Sequence, residues 1–423
     1  MRILITGATG FIGRHLVLAL ASEGHDLVLT SRSLHEGADG HDWRTIDFAT
    51  AHSPDDWRDV VENVDLVINA VGIFKSTRSQ SFAALHDRAP RALFEASKRA
   101  GVKRIIQISA LGTDESATCE YHLSKLRADD ALAKLDLEWV VLRPSLIIGG
   151  DGESWRFFKA LASLPVTPVI GDGDQTLQPV SIEDVIKAVL ASIHRSEATG
   201  ARINLVGAQC LTLESYLQSL SNWLGRSSFR PLAISYGLAG ALAGVGHLFA
   251  DMPLNRQAVT MLKEARIFAG DDCQSKLGFI PMGLSHFLAQ NPASKETSSA
   301  ASLYFLGPVL RIALAFMWLM AGVVSLFFYS VDQSLALLAR LGFTGTMGVM
   351  ALYGAALLDI LIGLSLLMRF RIKQIAGLQI GLIGVYTAAL SWVAPMMWAD
   401  PFGPLAKNIP ILAAILIMQK LEG

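Results

Sequence analysis

The sequence is poor in cysteine and has no basic run. Its 423 residues include three cysteines, which form neither a CxxC motif nor a disulfide framework, a usage typical of a reducing compartment. Basic and acidic residues are interspersed and the net charge is −1, so we expect no nucleic-acid partner. No metal-ligating pattern stands out, and no metal site is predicted.

Charge is scarce in the last part of the chain. Hydrophobic residues make up 52% of the sequence, and the excess lies beyond Leu303. The only charged residues there are Asp332, Asp359, Asp400, Glu422, Arg311, Arg340, Arg369, Arg371, Lys373, Lys407 and Lys420. Such a composition is typical of a membrane domain, whereas the preceding residues are typical of an α/β enzyme. Because the first strand is expected to begin at residue 2, no signal peptide is predicted.

A glycine-rich turn follows the first apolar stretch. In Ile3-Leu-Ile-Thr-Gly-Ala-Thr-Gly-Phe-Ile-Gly-Arg-His-Leu16, a strand is predicted to run into the first glycine and a helix to begin after the second. Gly7 suits a tight turn, Gly10 lets backbone approach a pyrophosphate, and Gly13 lets the helix pack closely on the strand. The helix amino terminus offers N–H groups and a positive dipole end to phosphates. This context predicts a dinucleotide-binding site.

The same residues carry a family resemblance. The spacing Gly-x-x-Gly-x-x-Gly resembles the short-chain dehydrogenase/reductase superfamily, and Thr6–Gly13 resembles its extended and atypical branches. Val169–Gly173 and Gln178–Val185 resemble the atypical group that includes the NADPH-holding accessory subunit of complex I. The resemblance implies an α/β fold with a Rossmann-type, doubly wound parallel sheet. Periodicity predicts further strands over 26–30, 43–46, 64–69, 102–109 and from 138, and helices over 54–63 and 79–100.

The resemblance also implies which residues contact the cofactor. They are Thr6, Gly7, Thr9, Gly10, Phe11, Ile12, Gly13, Arg14, Ser31, Arg32, Asp47, Phe48, Asn69, Ala70, Val71, Gly72, Ser109, Tyr121, Lys125, Arg143, Pro144 and Ser145. The second strand ends without the acid that NAD-binding members use, whereas Arg14 and Arg32 are placed to receive a 2′-phosphate. We therefore expect NADPH rather than NAD; the alternative is that both arginines lie on a solvated rim.

Three residues predict the chemistry. Ser109 is expected at the carboxyl end of the fifth strand, where ligands bind in open parallel sheets. Tyr121 and Lys125 are four residues apart on a predicted helix and share a face. Lys125 is expected to lower the pKa of the Tyr121 phenol from about 10. Tyr121 would then transfer a proton while Ser109 hydrogen-bonds the substrate oxygen and hydride passes to or from the nicotinamide. The alternative is an ordinary helix in a protein that keeps only the fold.

We predict three parts of the chain. An NAD(P)-binding domain covers 1–290, with a small α/β substrate lobe formed mainly by 151–170 and 200–290. Within it, Tyr236–Ala250 is interpreted as a lobe helix that lies against lipid. The polar stretch 291–302 predicts a linker, and 303–423 predicts a membrane domain.

Four apolar segments, 305–329, 346–368, 375–394 and 405–421, each approach the ~20 residues needed to span a bilayer. They predict an all-α four-helix transmembrane bundle. Ala399–Asn408, with Trp318 and Gly322, resembles the DoxX-like four-helix membrane family.

Basic residues predict the orientation of this bundle. Arg369, Arg371 and Lys373 place the loop after the second span in the cytoplasm. With four spans, the catalytic domain and both termini are then cytoplasmic, in a membrane of the bacterial inner-membrane type. Asp359 is expected to face the bundle interior, with Arg311 as its partner.

Together these features predict a membrane-anchored, NADPH-dependent oxidoreductase that reduces a carbonyl of a lipid-soluble or quinone-like substrate. Membrane lipid and a quinone or membrane redox partner are the expected partners. Two alternatives stay open: a catalytically silent NADPH-binding module that senses redox state or stabilises a membrane complex, and a sugar-nucleotide epimerase that retains NAD. The sequence identifies neither the substrate nor the direction of hydride transfer.

Overall fold

The computed structural model describes residues 1–33, 40–77, 79–249, 255–270, 272–401 and 403–422, with only the backbone for 245–249. Ala250, the end of the predicted lobe helix, and Phe402, in the DoxX-like motif, lie outside the described residues. The chain divides into two compact units. We call them the sheet unit (Met1–Gly244 and Met252–Ala301) and the helical unit (Val245–Asp251 and Ser302–Gly423).

Strands and helices alternate through the first part of the sheet unit. In chain order they are β1 (Arg2–Thr6), α1 (Phe11–Ser22), β2 (Asp26–Ser31), β3 (Asp42–Thr45), β4 (Leu66–Asn69), α2 (Ala89–Arg99), β5 (Arg104–Ile108), α3 (Glu120–Ala133) and β6 (Glu138–Pro144).

Further along the chain come short strands and more helices. They are β7 (Ile147–Ile148), α4 (Glu153–Ser163), β8 (Thr167–Ile170), β9 (Thr176–Leu177), β10 (Val180–Ser181), α5 (Ile182–His194), β11 (Ala201–Leu205), β12 (Leu211–Thr212), α6 (Leu213–Trp223), β13 (Pro231–Ile234), α7 (Tyr236–Phe249), α8 (Arg256–Lys263), α9 (Leu284–Gln290) and α10 (Lys295–Leu303).

Seven of these strands form one parallel sheet in the order β11-β6-β5-β4-β1-β2-β3. Strands covered on both faces are apolar throughout, and Ile3, Leu4 and Ile5 are indeed fully buried. α1 and α5 pack on one face and α2 and α3 on the other. The predicted doubly wound parallel sheet is confirmed.

Two predicted helices have a different form. The segment 54–63 has one 3-10 turn, Pro54–Trp57, followed by turns, and Asn63 has a left-handed φ of 55°, which a helix does not accommodate. The segment 79–100 begins with a π-helical stretch, Ala83–Arg88, and continues as α2. The π-helix matters below because it contributes a residue to the site.

The stretch predicted as a polar linker, 291–302, is mostly helical. α10 covers Lys295–Leu303, Ala301 is buried in the apolar core around Trp155 and Tyr216, and Ser298 Oγ donates to the Leu224 carbonyl at 3.2 Å. Composition suggested a linker because serine and threonine are abundant there, but one buried methyl group and one hydrogen bond attach the helix to the lobe.

The helical unit consists of α11 (Leu306–Phe327), α12 (Val331–Arg340), α13 (Gly345–Leu367), α14 (Ile372–Val393) and α15 (Asn408–Glu422). Small residues let the helices approach closely: a Cβ on Gly322 would lie 2.6 Å from the Ala356 carbonyl oxygen, and one on Gly363 would lie 2.6 Å from Leu319 Cγ.

Within the described residues, three helical stretches are long and apolar enough to cross a membrane: Lys295–Phe327, Gly345–Leu367 and Ile372–Val393. The fourth predicted span forms α15, whose 15 residues extend about 22 Å at 1.5 Å per residue. That length is below the ~30 Å hydrocarbon thickness. A fourth span is therefore not confirmed, and the orientation derived from four spans stays a prediction.

Arg311 has a different partner from the one predicted. Its Nε donates to Glu422 Oε2 at 2.5 Å and its Nη1 to the Leu366 carbonyl at 2.8 Å, so the predicted Arg311–Asp359 pair is wrong. Asp359 is 7% exposed, and its Oδ1 has no hydrogen-bond partner among the described residues.

Candidate active site

The glycine turn between β1 and α1 has the geometry of a phosphate cradle. Gly7 has a φ of +73°, and a Cβ there would lie 3.1 Å from the Ala70 backbone. A Cβ on Gly13 would lie 2.0 Å from the Gly7 carbonyl oxygen, so no other residue fits. In the described part of the chain, no side chain caps the N-terminus of α1, and its first N–H groups are free of helical partners. The residues present therefore fit a pyrophosphate.

The carboxyl ends of three neighbouring strands are joined by side chains. Thr6 Oγ1 donates to Asn69 Oδ1 at 2.6 Å, and Asn69 Nδ2 donates to Gln107 Oε1 at 2.7 Å. All three residues are buried. Thr6 and Asn69, both predicted cofactor contacts, thus use their side chains to align β1, β4 and β5. What they offer a ligand is the shape of the adjoining backbone, at Gly7 and at Ala70.

Tyr121 lies in the first turn of α3 and is surrounded by aromatic rings. The ring centroids of Phe74, His86 and Phe82 lie 5.3, 5.4 and 5.9 Å from its own. Burial, and secondarily the Cys119 sulfur, raise the pKa of Tyr121 above its ordinary value. The expected lowering by Lys125 is wrong for this arrangement, because apolar surroundings penalise the phenolate.

Lys125 points toward the strand ends rather than toward the phenol. Its Nζ donates to the Ile108 carbonyl at 3.1 Å and lies 5.8 Å from the centroid of the Tyr121 ring. A Cβ on Gly72 would lie 3.6 Å from Nζ. Burial lowers the pKa of Lys125 from 10.5 to about 8, although Asp129 opposes this shift. The Lys125 side chain therefore places its own ammonium group beside the loop that follows β4.

Ser109 is bonded to a residue that the sequence did not single out. Its Oγ donates to Asp129 Oδ2 at 2.7 Å, and Arg143 Nη2 lies 3.5 Å from the same oxygen. Burial raises the pKa of Asp129 to about 6, against the hydrogen bond from Ser109 and the charges of Arg143 and Lys125. The Ser109 hydroxyl, which was predicted to donate to the substrate oxygen, thus donates to Asp129 instead. Asp129 lies four residues after Lys125 on α3.

The π-helical stretch before α2 contributes His86, which the sequence analysis missed. His86 is buried; its Nε2 accepts a hydrogen bond from the Ile73 N–H at 3.0 Å, and its Nδ1 lies 3.2 Å from Ser124 Oγ. Burial, and then the charge of Lys125, lower its pKa to about 2, so the ring is neutral. With Nε2 accepting, Nδ1 carries the proton, and His86 links the loop after Gly72 to α3.

Several buried polar atoms near α3 have no hydrogen-bond partner among the described residues, and Thr113 Oγ1 and His122 Nε2 are among them. Both lie next to Gly112: Thr113 follows it in the sequence, and a Cβ on Gly112 would lie 3.2 Å from His122 Cε1. Burial lowers the pKa of His122 to about 4, so this ring is also neutral. Buried polar atoms without partners are costly, which makes both candidates for substrate contact. Only their burial reveals them, and no sequence motif does.

Several other predicted contacts have structural partners. Arg14 pairs with Asp151 at 2.8 Å. Phe48 is buried and packs edge-on against Trp57 at 4.9 Å, so it belongs to the core. Asp47 Oδ1 accepts from the Ala49 N–H at 2.9 Å in a local turn.

Others lie at the strand ends as expected. Ser145 Oγ donates to the Gln178 carbonyl at 2.5 Å, and the Pro144 carbonyl accepts from the Leu111 N–H at 2.9 Å. Arg32, directly after β2, is exposed, as is Thr9 in the glycine turn. Ser31 Oγ donates a hydrogen bond to the Ser33 carbonyl. A contact between Arg32 and a 2′-phosphate stays a prediction.

The fold and this cradle define an NAD(P)H-binding domain of the atypical short-chain dehydrogenase/reductase type. Residues 7–191 match the NAD(P)H-binding family model, and 315–416 match the DoxX-like family. The chain therefore combines an NAD(P)H-binding Rossmann domain with a C-terminal DoxX-like domain.

Two curated relatives each match a little under half of the chain. A ceramide reductase of Caulobacter vibrioides is 31% identical over 199 residues, which are 45% of this chain and 60% of that protein. The mitochondrial NADH dehydrogenase [ubiquinone] 1 alpha subcomplex subunit 9 of Mus musculus is 28% identical over 211 residues, 48% of this chain and 56% of that protein. The chain thus spans less than two thirds of the length of either relative.

Solved structures agree in fold. A nucleoside-diphosphate-sugar epimerase from Staphylococcus aureus superposes with a TM-score of 0.56 at 17% identity, covering 68% of this chain and 99% of its own. A short-chain dehydrogenase/reductase superfamily protein from Agrobacterium tumefaciens with bound NAD gives 0.53 at 15% identity, covering 71% and 97%. At these identities the likeness shows the fold alone.

Proposed function

We propose that this protein is a membrane-attached, NADPH-dependent reductase of a carbonyl group on a lipid-soluble or quinone-like substrate. The observation that carries the proposal is the position of Lys125, whose buried Nζ lies between the end of β5 and Gly72, one helical turn after Tyr121. An ammonium and a phenol in that arrangement, beside a phosphate cradle, support proton transfer next to a nicotinamide. The similarity to a ceramide reductase and the DoxX-like domain support a lipid-soluble substrate.

The bound cofactor would supply hydride, and the residues of the chain would supply the proton and the geometry. Because the pKa of Tyr121 is raised, its phenol is protonated at neutral pH, the form that carbonyl reduction requires. Lys125 would hold the nicotinamide ribose through hydrogen bonds from its ammonium group. The Ser109 hydroxyl donates its hydrogen bond to Asp129, so its Oγ offers a substrate lone pairs only.

Two observations favour the catalytically silent alternative. Ser109 is already committed to Asp129, and a relative is named as a subunit of NADH dehydrogenase rather than as an independent reductase. In that case the sheet unit would hold NADPH as a sensor or as a structural element of a membrane complex. The epimerase alternative has only the shared fold in its support.

Turnover distinguishes these functions. The full chain in mild detergent would be incubated with NADPH and a long-chain ketolipid, and cofactor oxidation measured. We expect Tyr121→Phe to lower the rate by about 10²–10⁴-fold, since it removes the proton donor, with nucleotide affinity nearly unchanged. Lys125→Ala should impair both.

The matched control is Tyr329→Phe, because Tyr329 is exposed and lies in the helical unit. Its rate of NADPH oxidation and its nucleotide affinity should equal those of the unmodified chain. If Tyr121→Phe oxidises NADPH at the unmodified rate, Tyr121 is not the proton donor. If the unmodified chain binds NADPH but oxidises none with any ketolipid tried, the silent module is favoured.

Cofactor choice is tested separately. Arg32→Ala should weaken NADPH binding by about 1.5–3 kcal/mol, the contribution of a charged hydrogen bond, and leave NADH binding unchanged. Arg58→Ala, an exposed arginine of the same unit, is the control. Equal losses for both nucleotides in titration calorimetry would show that Arg32 does not contact the 2′-phosphate.

A further inference from the structure

Three metal-ligating side chains meet at the edge of the sheet where the strands begin. Glu23, His25 and His194 each place one donor atom within 4.8 Å of the other two. His25 Nε2 lies 3.5 Å from Glu23 Oε2, and it is a buried atom with no hydrogen-bond partner in the described chain. The catalytic residues lie at the opposite edge, at the carboxyl ends of the strands.

Backbone geometry holds two of these ligands in a rigid turn. α1 ends at Ser22, and Gly24 follows with a φ of +78°. The N–H groups of Gly24 and His25 return to the carbonyls of Ala21 and Leu20 at 3.0 and 3.2 Å. This arrangement is a left-handed helix cap, a tight and well-ordered turn. Glu23 and His25 therefore leave the same turn, on either side of its glycine.

The third ligand comes from a helix packed on the same core. His194 is the last residue of α5, and α5 shares the apolar core of α1 through Leu16, Leu20, Val189 and Ile193. The relative position of the two helix ends is thus set by buried side chains. A ligand set held by such packing needs little reorganisation to close on an ion.

Electrostatics at this point favours a cation. Both helices end here, and a helix carboxyl end carries a partial negative charge from its unpaired carbonyls. The Glu23 carboxylate adds a full negative charge. Two imidazoles and one carboxylate are the ligand set that zinc uses when it keeps a fourth position for water, and Glu23 and His194 are exposed, so that position faces solvent.

We propose that Glu23, His25 and His194 form a binding site for a divalent transition-metal ion, for which Zn²⁺ is the probe. Tetrahedral coordination at ~2.1 Å requires donor atoms about 3.4 Å apart, which small side-chain rotations achieve from the observed spacing. The ion joins the end of α1 to the end of α5 and stabilises the sheet unit. This site is independent of nucleotide binding and of the proposed reductase activity.

The test is Zn²⁺ binding by the full chain, purified without a histidine tag, treated with EDTA and titrated against a chromophoric chelator. We expect one Zn²⁺ per chain. His194→Ala and His25→Ala should each lower the affinity at least about 100-fold, because one of three protein ligands is lost. His286→Ala, an exposed histidine on α9, is the matched control and should bind as the unmodified chain does.

Two further readouts separate a built site from surface adsorption. Co²⁺ in place of Zn²⁺ should give the visible absorption of four-coordinate cobalt, lost in His194→Ala. Zn²⁺ should raise the Tm of the unmodified chain and leave that of His194→Ala unchanged, since only an ion that binds the native state stabilises it. Unaltered Zn²⁺ affinity in both histidine variants, or binding weaker than roughly 100 μM, overturns the proposal.

Discussion

The sheet unit and the helical unit each contain a buried cluster of charged side chains, and the two clusters differ in how completely their polar atoms are hydrogen-bonded. In the helical unit, Arg311 is fully buried with a carboxylate at 2.5 Å and a carbonyl at 2.8 Å. In the sheet unit, Arg143 Nε and Asp129 Oδ1 make no hydrogen bond within the described residues, although both residues belong to the cluster around Ser109. Arg311 thus finds its partners within the helical unit. Arg143 and Asp129 keep polar atoms that make no hydrogen bond within the described residues.

We interpret the difference as one between charge that stabilises the fold and charge that a bound ligand would satisfy. A buried polar atom without a partner costs free energy, so a cluster that keeps several such atoms is expected where a ligand supplies the missing bonds. Asp359 is the exception in the helical unit, since its Oδ1 is also unpaired. The experiments below test this distinction, from the largest expected effect to the smallest.

The largest effect is expected at the complete pair. Arg311→Met leaves Glu422 as an uncompensated buried carboxylate, which should destabilise the helical unit by about 3–5 kcal/mol. Thermal unfolding in detergent measures the loss, and NADPH titration should show unchanged nucleotide affinity.

The control for Arg311→Met is Arg340→Met, an exposed arginine of the same unit, which should unfold as the unmodified chain does. The double variant Arg311→Met with Glu422→Leu should recover most of the stability, because no unpaired charge is left. A nucleotide affinity that falls with Arg311→Met would mean that the pair serves the site as well.

Close glycine contacts allow a matched comparison of the two units. A Cβ at Gly13 would lie 2.0 Å from a carbonyl oxygen, and one at Gly322 would lie 2.6 Å from another. Each Gly→Ala change should cost about 1–3 kcal/mol through overpacking. Only Gly13→Ala should also abolish tight nucleotide binding, because it displaces the phosphate turn.

Gly240 and Gly354 are the controls for these two variants, since a Cβ at either meets nothing within 4 Å. Their alanine variants should have a Tm at least as high as that of the unmodified chain, because alanine has a higher helix propensity than glycine. If Gly322→Ala weakened nucleotide binding as much as Gly13→Ala does, the two contacts would not be separable by function.

The smallest effect concerns pH. The pKa of Lys125 is lowered to about 8, so kcat/KM should fall as pH rises through about 8, when the ammonium is lost. Stability should move in the opposite direction, because the charged form is the one that burial disfavours, and its cost disappears between pH 8 and the unfolded pKa near 10.5.

Asp129 is the residue that sharpens this pH test. Its charge raises the pKa of Lys125, so Asp129→Asn should move the alkaline limb to lower pH by about one unit, equivalent to about 1.4 kcal/mol. Asp130→Asn, a half-exposed neighbour paired with Arg202, should leave the limb in place. If the alkaline limb of the pH profile does not move in Asp129→Asn, the titration of Lys125 is not its cause.

The parallel sheet and its glycine turn were predictable because their signals are local. Gly7, Gly10 and Gly13 lie within seven residues of one another, and β1 and β4 are short apolar runs. Tyr121 and Lys125 were recognisable for the same reason, as neighbours on one helix. The pKa of Tyr121 was not, because it depends on Phe74, Phe82 and His86, which other segments bring to the ring.

Partners that are distant in sequence escaped prediction. Glu422 is 111 residues from Arg311, and nothing in either local pattern connects them, whereas Asp359 looked closer because it lies in the next apolar segment. His194 is similarly remote from His25, so no spacing rule detects that cluster. Asp129 was within reach, since it follows Lys125 by one helical turn, but the carboxylate became informative only with Ser109 beside it.

The π-helical stretch Ala83–Arg88 has a consequence for changes in chain length. A π-turn holds one more residue than an α-turn, so it is equivalent to a single inserted residue. Deleting one residue from this stretch would restore an α-helix, so the residues on either side would keep their positions while the turn that carries His86 would change. His86 would then lose register with Ile73 and Ser124, although every side chain of the site was still encoded. At this position the number of residues, as much as their identity, determines the geometry, and insertions and deletions should be tolerated less here than most substitutions.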